Sequence, residues 1–138
     1  MTSLSPLVVV EDNDEDFEAL SRVLRETTSY EGVVRYQTGE EAIAGLMASE
    51  RPAIVILDLN LPGVQGLDVL RWVKKEPRRR IVPVIVLSGS HRQEDIDAAY
   101  AAGANAYVSK PLDYAELRRV VISMHDFWQL ASLPEPRR

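Results

Sequence analysis

The sequence predicts an α/β protein, one five-stranded parallel β-sheet with helices on both faces. Three observations lead there. Five short apolar runs begin near residues 7, 33, 54, 83 and 105. Between them lie stretches whose apolar residues recur at spacings of three and four, the mark of one face of a helix. The runs themselves are continuously apolar rather than alternating. Strands of that kind are buried on both sides, which requires a parallel sheet covered by helices. A βα unit repeated five times satisfies all three, with right-handed crossovers.

The first run, Leu7-Val8-Val9-Val10, ends in Glu11-Asp12-Asn13-Asp14. Phe17, Leu20 and Leu24 then mark a helix face, with Asn13 or Asp12 as its cap and acids in its first turn suiting the positive end of the helix dipole. Val33 to Tyr36 is a weaker second strand. Thr38 and Glu41 fit a capping box ahead of a stripe of Ala42, Ile43, Leu46 and Met47. Arg51-Pro52 closes that helix. Ile54-Val55-Ile56-Leu57 is the third strand, ending in Asp58 and followed by the turn formers Asn60, Pro62, Gly63 and Gly66. Val69, Leu70 and Val73 mark the third helix, with Leu67 and Trp72 beside the stripe, and Pro77 stops it. Arg78-Arg79-Arg80 reads as a solvated loop. Pro83 to Leu87 is the fourth strand, ending in Ser88-Gly89-Ser90. A helix from about Gln93 to Ala102 follows, marked by Ile96, Ala99 and Tyr100, with Gly103 at its C′ position. Ala106-Tyr107-Val108 is the fifth strand, ending in Ser109-Lys110-Pro111. Asp113 and Glu116 cap a long last helix.

Composition bounds the function. A chain of 138 residues holds one domain with a sizeable core. A domain spanning residues 1–138 is expected, with its core at about 4–131 and a frayed tail at 134–138. The net charge of -5 argues against nucleic acid or an anionic membrane as main partner. The absence of cysteine excludes disulfides and thiolate metal sites. No apolar run approaches the ~20 residues of a membrane span, and the N-terminus lacks signal-peptide features. A cytoplasmic location is expected.

In a parallel sheet all strands end on one edge, where ligands bind. The residues at the ends of strands one, three, four and five are Glu11 and Asp12, Asp58, Ser88 and Lys110. The fold therefore gathers three carboxylates, a hydroxyl and an ammonium. Carboxylates that close need a cation. Oxygen ligands without His or Cys select a hard ion, Mg²⁺ or similar. A divalent ion, an ammonium and a hydroxyl around a carboxylate suit a phosphoryl group, with Asp58 as nucleophile.

With those residues in place, the chain resembles the response-regulator receiver domains of two-component signalling, from about Leu4 to Trp128. The resemblance is carried by VVVEDN with Glu11 and Asp12, ILDLNLPGVQG with Asp58, PVIVLSGS with Ser88, and YVSKP with Lys110. It implies a doubly wound, flavodoxin-like sheet of order 2-1-3-4-5. It implies that Asp58 accepts a phosphoryl group from a sensor histidine kinase or a small phosphodonor. Mg²⁺, or Mn²⁺, would be held by Asp12, Asp58, the Asn60 backbone carbonyl and Glu11, the last mostly through water. Ser88 and Tyr107 would form the switch, and Asn60 and Ser90 would tune dephosphorylation. Ser88 and Gly89 stand where Thr and Ala are commoner in the family. The domain would act on itself, catalysing its own phosphorylation and dephosphorylation, rather than serve as an enzyme on a separate substrate. It would signal to a downstream protein by a changed surface around helix four, strand five and helix five. Little chain follows Trp128, so no separate output domain is expected.

Two other functions compete. A phosphohydrolase resembling the haloacid dehalogenases would need a second Asp two residues after the nucleophile, where this chain has Asn60. A degenerate receiver used only for contacts is disfavoured by the complete acid, hydroxyl and ammonium set. His91 and His125 read as surface residues, without metal-ligand company. The last helix, from Asp113 to about Leu130, would be ~27 Å long against ~17 Å of strand, so its final two turns are expected to overhang the sheet. Leu117, Val120, Val121, Met124, Phe127, Trp128 and Ala131 form one stripe, with Leu130 and Leu133 beyond it. A homodimer through this helix is therefore expected, with Leu117, Val121, Met124, Phe127 and Trp128 at the contact. The alternative is that Phe127 and Trp128 fold back onto the first helix. The Phe-Trp end also resembles the tails of receivers paired with bacterial phytochromes, many of which dimerise through this region, making a red-light-sensing kinase the expected partner.

Overall fold

The computed structural model describes residues 7–27, 33–48 and 52–132. The expectations placed on Leu4, Arg51, Leu133 and the 134–138 tail lie outside these. Five strands, β1 (Leu7–Val10), β2 (Val33–Tyr36), β3 (Ile54–Leu57), β4 (Val84–Ser88) and β5 (Ala106–Ser109), alternate with five helices, α1 (Asp14–Thr27), α2 (Gly39–Ala48), α3 (Gly66–Lys75), α4 (Gln93–Ala101) and α5 (Tyr114–Leu130). The sheet is parallel throughout, in the order β2-β1-β3-β4-β5.

The period of two along each strand divides the apolar residues between two cores. Val8, Val10, Val55, Leu57, Val84 and Val86 face one layer, against Ala42, Leu46, Val69, Leu70, Val73 and Ala99 of α2, α3 and α4. Leu7, Val9, Ile54, Ile56, Ile85 and Leu87 face the other, against Leu20, Val23, Leu24 and Val121 of α1 and α5. This is why the runs of β1, β3 and β4 read as unbroken apolar sequence: each residue is inside, on one side or the other. The outer strands β2 and β5 are only half-buried and Val34 of β2 is exposed, against the expectation that all five runs are closed on both sides. Burial of each such Val, Leu or Ile side chain contributes about 1.5–3 kcal/mol.

The helix signals resolve with small adjustments. Asn13 caps α1, its Oδ1 accepting from the Asp16 N–H at 2.9 Å. Thr38 Oγ1 accepts from the Glu41 N–H at 3.0 Å, but the return bond goes one residue further back, from the Gln37 N–H to Glu41. Asp113 caps α5 through the Glu116 N–H at 2.8 Å. Gly103 ends α4 at φ +108, a left-handed value that favours glycine. Ser88 is the last residue of β4 rather than the first beyond it, because the ladder continues into Ser109 and the Lys110 N–H donates to the Ser88 carbonyl at 2.7 Å. Arg79 is not simply solvated. Its guanidinium lies 3.7 Å from the Trp72 ring centroid and pins the loop onto α3.

The α5 stripe needs correction. Val121 is only 1% exposed, closed into the α1-side core, and cannot touch a second copy. Leu117, Met124 and Trp128 also pack against that core. The expected overhang is shorter than two turns, since Trp128 still reaches the molecule's own body. Neighbouring helix residues point about 100° apart, so Phe127 faces outward while Trp128 faces in. The two rings meet edge to face at 5.2 Å. Phe127 and Leu130 are what the end of α5 leaves exposed, at 61% and 88%.

Candidate functional site

The ends of β1, β3, β4 and β5 converge on one edge of the sheet. Pairing of β1 with β3 sets the first two acids. The Asp58 N–H donates to the Val10 carbonyl at 3.0 Å, and the Glu11 N–H to the Tyr36 carbonyl at 3.0 Å, so both residues are locked to the sheet by their backbones. Their side chains are buried, and Asp12 beside them is exposed. One oxygen from each of Glu11, Asp12 and Asp58 falls within 4.8 Å of the others. The loop after β3 turns back tightly. Gly66 opens α3 against the Asp58–Leu59 backbone, where a Cβ would stand 2.2 Å from the Asp58 carbonyl oxygen.

Lys110 comes in from the end of β5. Its ammonium donates to Glu11 Oε1 at 2.6 Å, Asp16 Oδ2 at 2.8 Å and Asp58 Oδ2 at 2.9 Å. The second carboxylate oxygens of Glu11 and Asp58 have backbone donors. The Asn13 N–H donates to Glu11 Oε2 at 3.2 Å, and the Asn60 N–H to Asp58 Oδ1 at 3.0 Å. Burial pushes the Glu11 carboxyl up to about 7, its bond to Lys110 pulling it down and the charge of Asp58 pushing it up again. Burial alone would depress Lys110, but its bonds to Asp16, Glu11 and Asp58 outweigh that and hold it above the ordinary lysine value.

Ser88 is buried beside this group, and its Oγ accepts from the Ser90 N–H at 3.3 Å, leaving its own proton to donate. The Tyr107 hydroxyl donates to the Ser90 carbonyl at 2.9 Å, so β5 is tied to the loop after β4. The Ser90 hydroxyl donates to Asp95 at 2.5 Å, at the start of α4. A cleft of about 530 Å³ opens here between Asn60, Gln65, Ser88, Gly89 and Arg92, room for an incoming group beside Ser88. His91 is exposed and joins nothing at the site. His125 is half-buried on α5, 3.1 Å from the Gln129 amide nitrogen, and less exposed than expected.

The structure thus brings Glu11, Asp12, Asp58, Ser88 and Lys110 to one place, with Tyr107 one loop away. Two participants escaped the sequence reading. Asp16 read as one more acid of the first turn of α1. Arg35 lies on β2, the strand with least signal. Its Nε donates to the Glu11 carbonyl at 3.1 Å, its guanidinium pairs with Asp14 at 2.9 Å, and it covers the Phe17 ring at 4.5 Å, bracing the loop that carries the acid pair.

The three carboxylates fit a divalent ion. They offer only oxygen, two are buried, and the one ammonium among them cannot neutralise their combined charge. No helix among the described residues is long and apolar enough to cross a membrane.

Residues 7–122 match the family described as the response regulator receiver domain. Among curated proteins, the response regulator Rcp1 of Synechocystis sp. is 32% identical, over 93% of this chain and 92% of its own. The crystal structure of the Mn²⁺-bound form of response regulator Rcp1 superposes with a TM-score of 0.87 at 32% identity, covering 94% of this chain and 98% of that one. The phosphorylated cyanobacterial phytochrome response regulator RcpA gives a TM-score of 0.87 at 34% identity, covering 94% and 97%. A response regulator in red light signaling of R. palustris, RPA3017, gives 0.83 at 33%, covering 94% and 99%. With the receiver motifs at four strand ends, the sheet order and the matched span in agreement, the chain belongs to the response-regulator receiver domains, the phosphoacceptors of two-component signalling.

Proposed function

We propose that Asp58 is the phosphoacceptor of this receiver and that a sensor histidine kinase supplies the phosphoryl group. The observation that carries the reading is the meeting of a buried carboxylate, Asp58, with the Lys110 ammonium at 2.9 Å and two further acids within 4.8 Å. In the transfer, an Asp58 oxygen forms a bond to phosphorus. The P–N bond of the phosphohistidine breaks, and its electron pair stays on the imidazole nitrogen. Lys110 and the Ser88 hydroxyl donate to phosphoryl oxygens as charge moves onto them. Asp12, Asp58, the Asn60 carbonyl and Glu11 would hold Mg²⁺, or Mn²⁺ in its place. The ion supplies positive charge to an anionic group among acids that would otherwise repel it.

The reaction is on the protein itself, so the domain is a signalling module rather than an enzyme with a separate substrate. Ser88, drawn toward the phosphoryl group, gives up its bond to the Ser90 N–H. The loop that carries the Tyr107 anchor then rearranges, changing the surface of α4, β5 and α5 that a downstream protein reads. The likeness to RcpA and to RPA3017 supports a red-light-sensing phytochrome kinase as the donor. The absence of a signal-peptide pattern at the N-terminus supports a cytoplasmic setting. The exposed Phe127 and Leu130 support a two-fold contact between copies at the end of α5, narrower than the full stripe.

Incubation with acetyl phosphate and Mg²⁺, read by intact mass, tests the assignment. Wild type should gain one phosphoryl group, lost in Asp58→Asn and in excess chelator. An adduct that persists in Asp58→Asn removes Asp58 from its role, and one that persists in chelator removes the ion from its own.

A further inference from the structure

We propose that Asp16 is a positioning residue for phosphoryl transfer: it holds the third proton of the Lys110 ammonium and is the partner that Lys110 gives up when a phosphoryl group arrives. The inference rests on the reading of Asp58 as phosphoacceptor and adds a residue to it.

An ammonium has three donors. Lys110 uses them on Glu11 at 2.6 Å, Asp16 at 2.8 Å and Asp58 at 2.9 Å. It can therefore reach a phosphoryl oxygen only by surrendering one of these bonds. Solvation decides which. The Glu11 and Asp58 side chains are 6% exposed, whereas that of Asp16 is 47% exposed. A buried carboxylate stripped of its cation has no water to turn to, and its desolvation is left uncompensated. The Asp16 carboxylate passes directly into solvent, and an exposed ion pair is the weak kind. The arriving phosphoryl oxygen thus exchanges with Asp16, while the other two bonds keep the ammonium on the site. Asp16 stands on α1, whereas Glu11 and Asp58 stand at strand ends, so the exchange disturbs neither sheet pairing nor the acid cluster.

A carboxylate in the first turn of a helix also favours the helix dipole by itself. If that were all Asp16 did, its loss would weaken α1 and leave the reaction alone. In the role assigned here, its loss frees one Lys110 donor in advance and eases phosphoryl entry.

The test uses the full chain with acetyl phosphate and Mg²⁺. The P–O bond of the donor breaks, acetate leaves with the electron pair, and the Asp58–phosphorus bond forms. Asp16→Asn should raise the second-order rate constant about two- to fivefold, the worth of one exposed ion pair. Asp16→Glu should restore the wild-type rate. In a Lys110→Ala background, Asp16→Asn should change nothing further, since it acts through the lysine. Independently of turnover, addition of beryllium fluoride should move the Asp16 side-chain carboxyl ¹³C resonance toward that of a hydrated aspartate. An unchanged or slower Asp16→Asn rate overturns the inference. So does a gain that persists without Lys110, or a carboxyl resonance indifferent to beryllium fluoride. Wild type that takes no phosphoryl group on Asp58 defeats the underlying reading instead, and the two failures are told apart by the wild-type adduct alone.

Discussion

Strands β3 and β5 end at the same site but are built differently. All four residues of β3 are buried, and β1 and β4 flank it. All four residues of β5 are half-exposed, and among the described residues only β4 pairs with it. Thus Asp58 stands on a strand fixed from both sides, while Lys110 and Tyr107 stand on an edge strand or just beyond it. The Tyr107 N–H does not enter a ladder on that side but donates to the Tyr100 hydroxyl of α4 at 3.0 Å. An acceptor of the kind proposed for Asp58, which must present one oxygen in one place, belongs on the rigid strand. Groups that must respond to it belong where local rearrangement costs least.

The widest separation between the two strands should come from truncating the same side chain in each. Val55 is 1% exposed on β3 and Val108 is half-exposed on β5. Val55→Ala should cost about 2–4 kcal/mol of unfolding free energy, two methyl groups plus the cavity they leave. Val108→Ala should cost under ~1 kcal/mol. Urea unfolding of both variants measures the difference, and equal losses would mean that the edge strand is as firmly held as the centre.

The acid end of the rigid pair β1–β3 should show itself in pH. Glu11 is raised to about 7 from 4.5, first by burial. A carboxyl whose folded pKa lies above its unfolded one binds its proton more tightly in the folded state. It therefore favours folding below about pH 4.5, and that contribution disappears as pH rises through 7. In chelator, unfolding free energy should fall by roughly 1–3 kcal/mol across this window through Glu11. Glu11→Gln should flatten the slope. A divalent ion should flatten it too, by holding the carboxylate as an anion. A slope unchanged in Glu11→Gln would place its origin elsewhere.

The central strands and their terminal acids were legible because two rules agree on them. An unbroken apolar run fixes a strand buried on both sides, and a parallel sheet puts every strand end on one edge, so Glu11 and Asp58 had nowhere else to meet; Lys110, after the half-exposed edge strand β5, was placed there by the second rule alone. Asp16 and Arg35 were not legible. A first-turn acid already satisfies the helix dipole, and nothing in the sequence shows a lysine nearly a hundred positions on turning toward it. Arg35 reads in the sequence only as the polar break in the second strand, and nothing there shows that it turns toward the Glu11 carbonyl, Asp14 and the Phe17 ring. The end of α5 shows another limit. A stripe says which face of a helix is apolar, not what covers it. For Val121, Met124 and Trp128 the cover is the molecule's own α1-side core, and only the tertiary packing could say so.

The smallest effect concerns the tie between the responsive strand and the loop after β4. The Tyr107 hydroxyl donates to the Ser90 carbonyl at 2.9 Å, and the Ser90 N–H donates to the buried Ser88 Oγ at 3.3 Å. The chain of contacts from the proposed acceptor site to β5 therefore runs through one short loop. Tyr107→Phe keeps the ring and removes one hydrogen bond, so it should cost about 1 kcal/mol. Ser88→Ala leaves Asp58 and Lys110 in place, so beryllium fluoride should still bind. If the loop is the link, however, amide shifts across residues 90–112 should respond less than in wild type in both variants. Residues of β3 should respond alike in all three proteins, since their side chains are closed into the two cores and their backbones into ladders on both sides. A Tyr107→Phe protein whose residues 90–112 respond fully would show that the edge strand is driven by Lys110 alone, and that the hydroxyl bond to Ser90 serves only to close the loop.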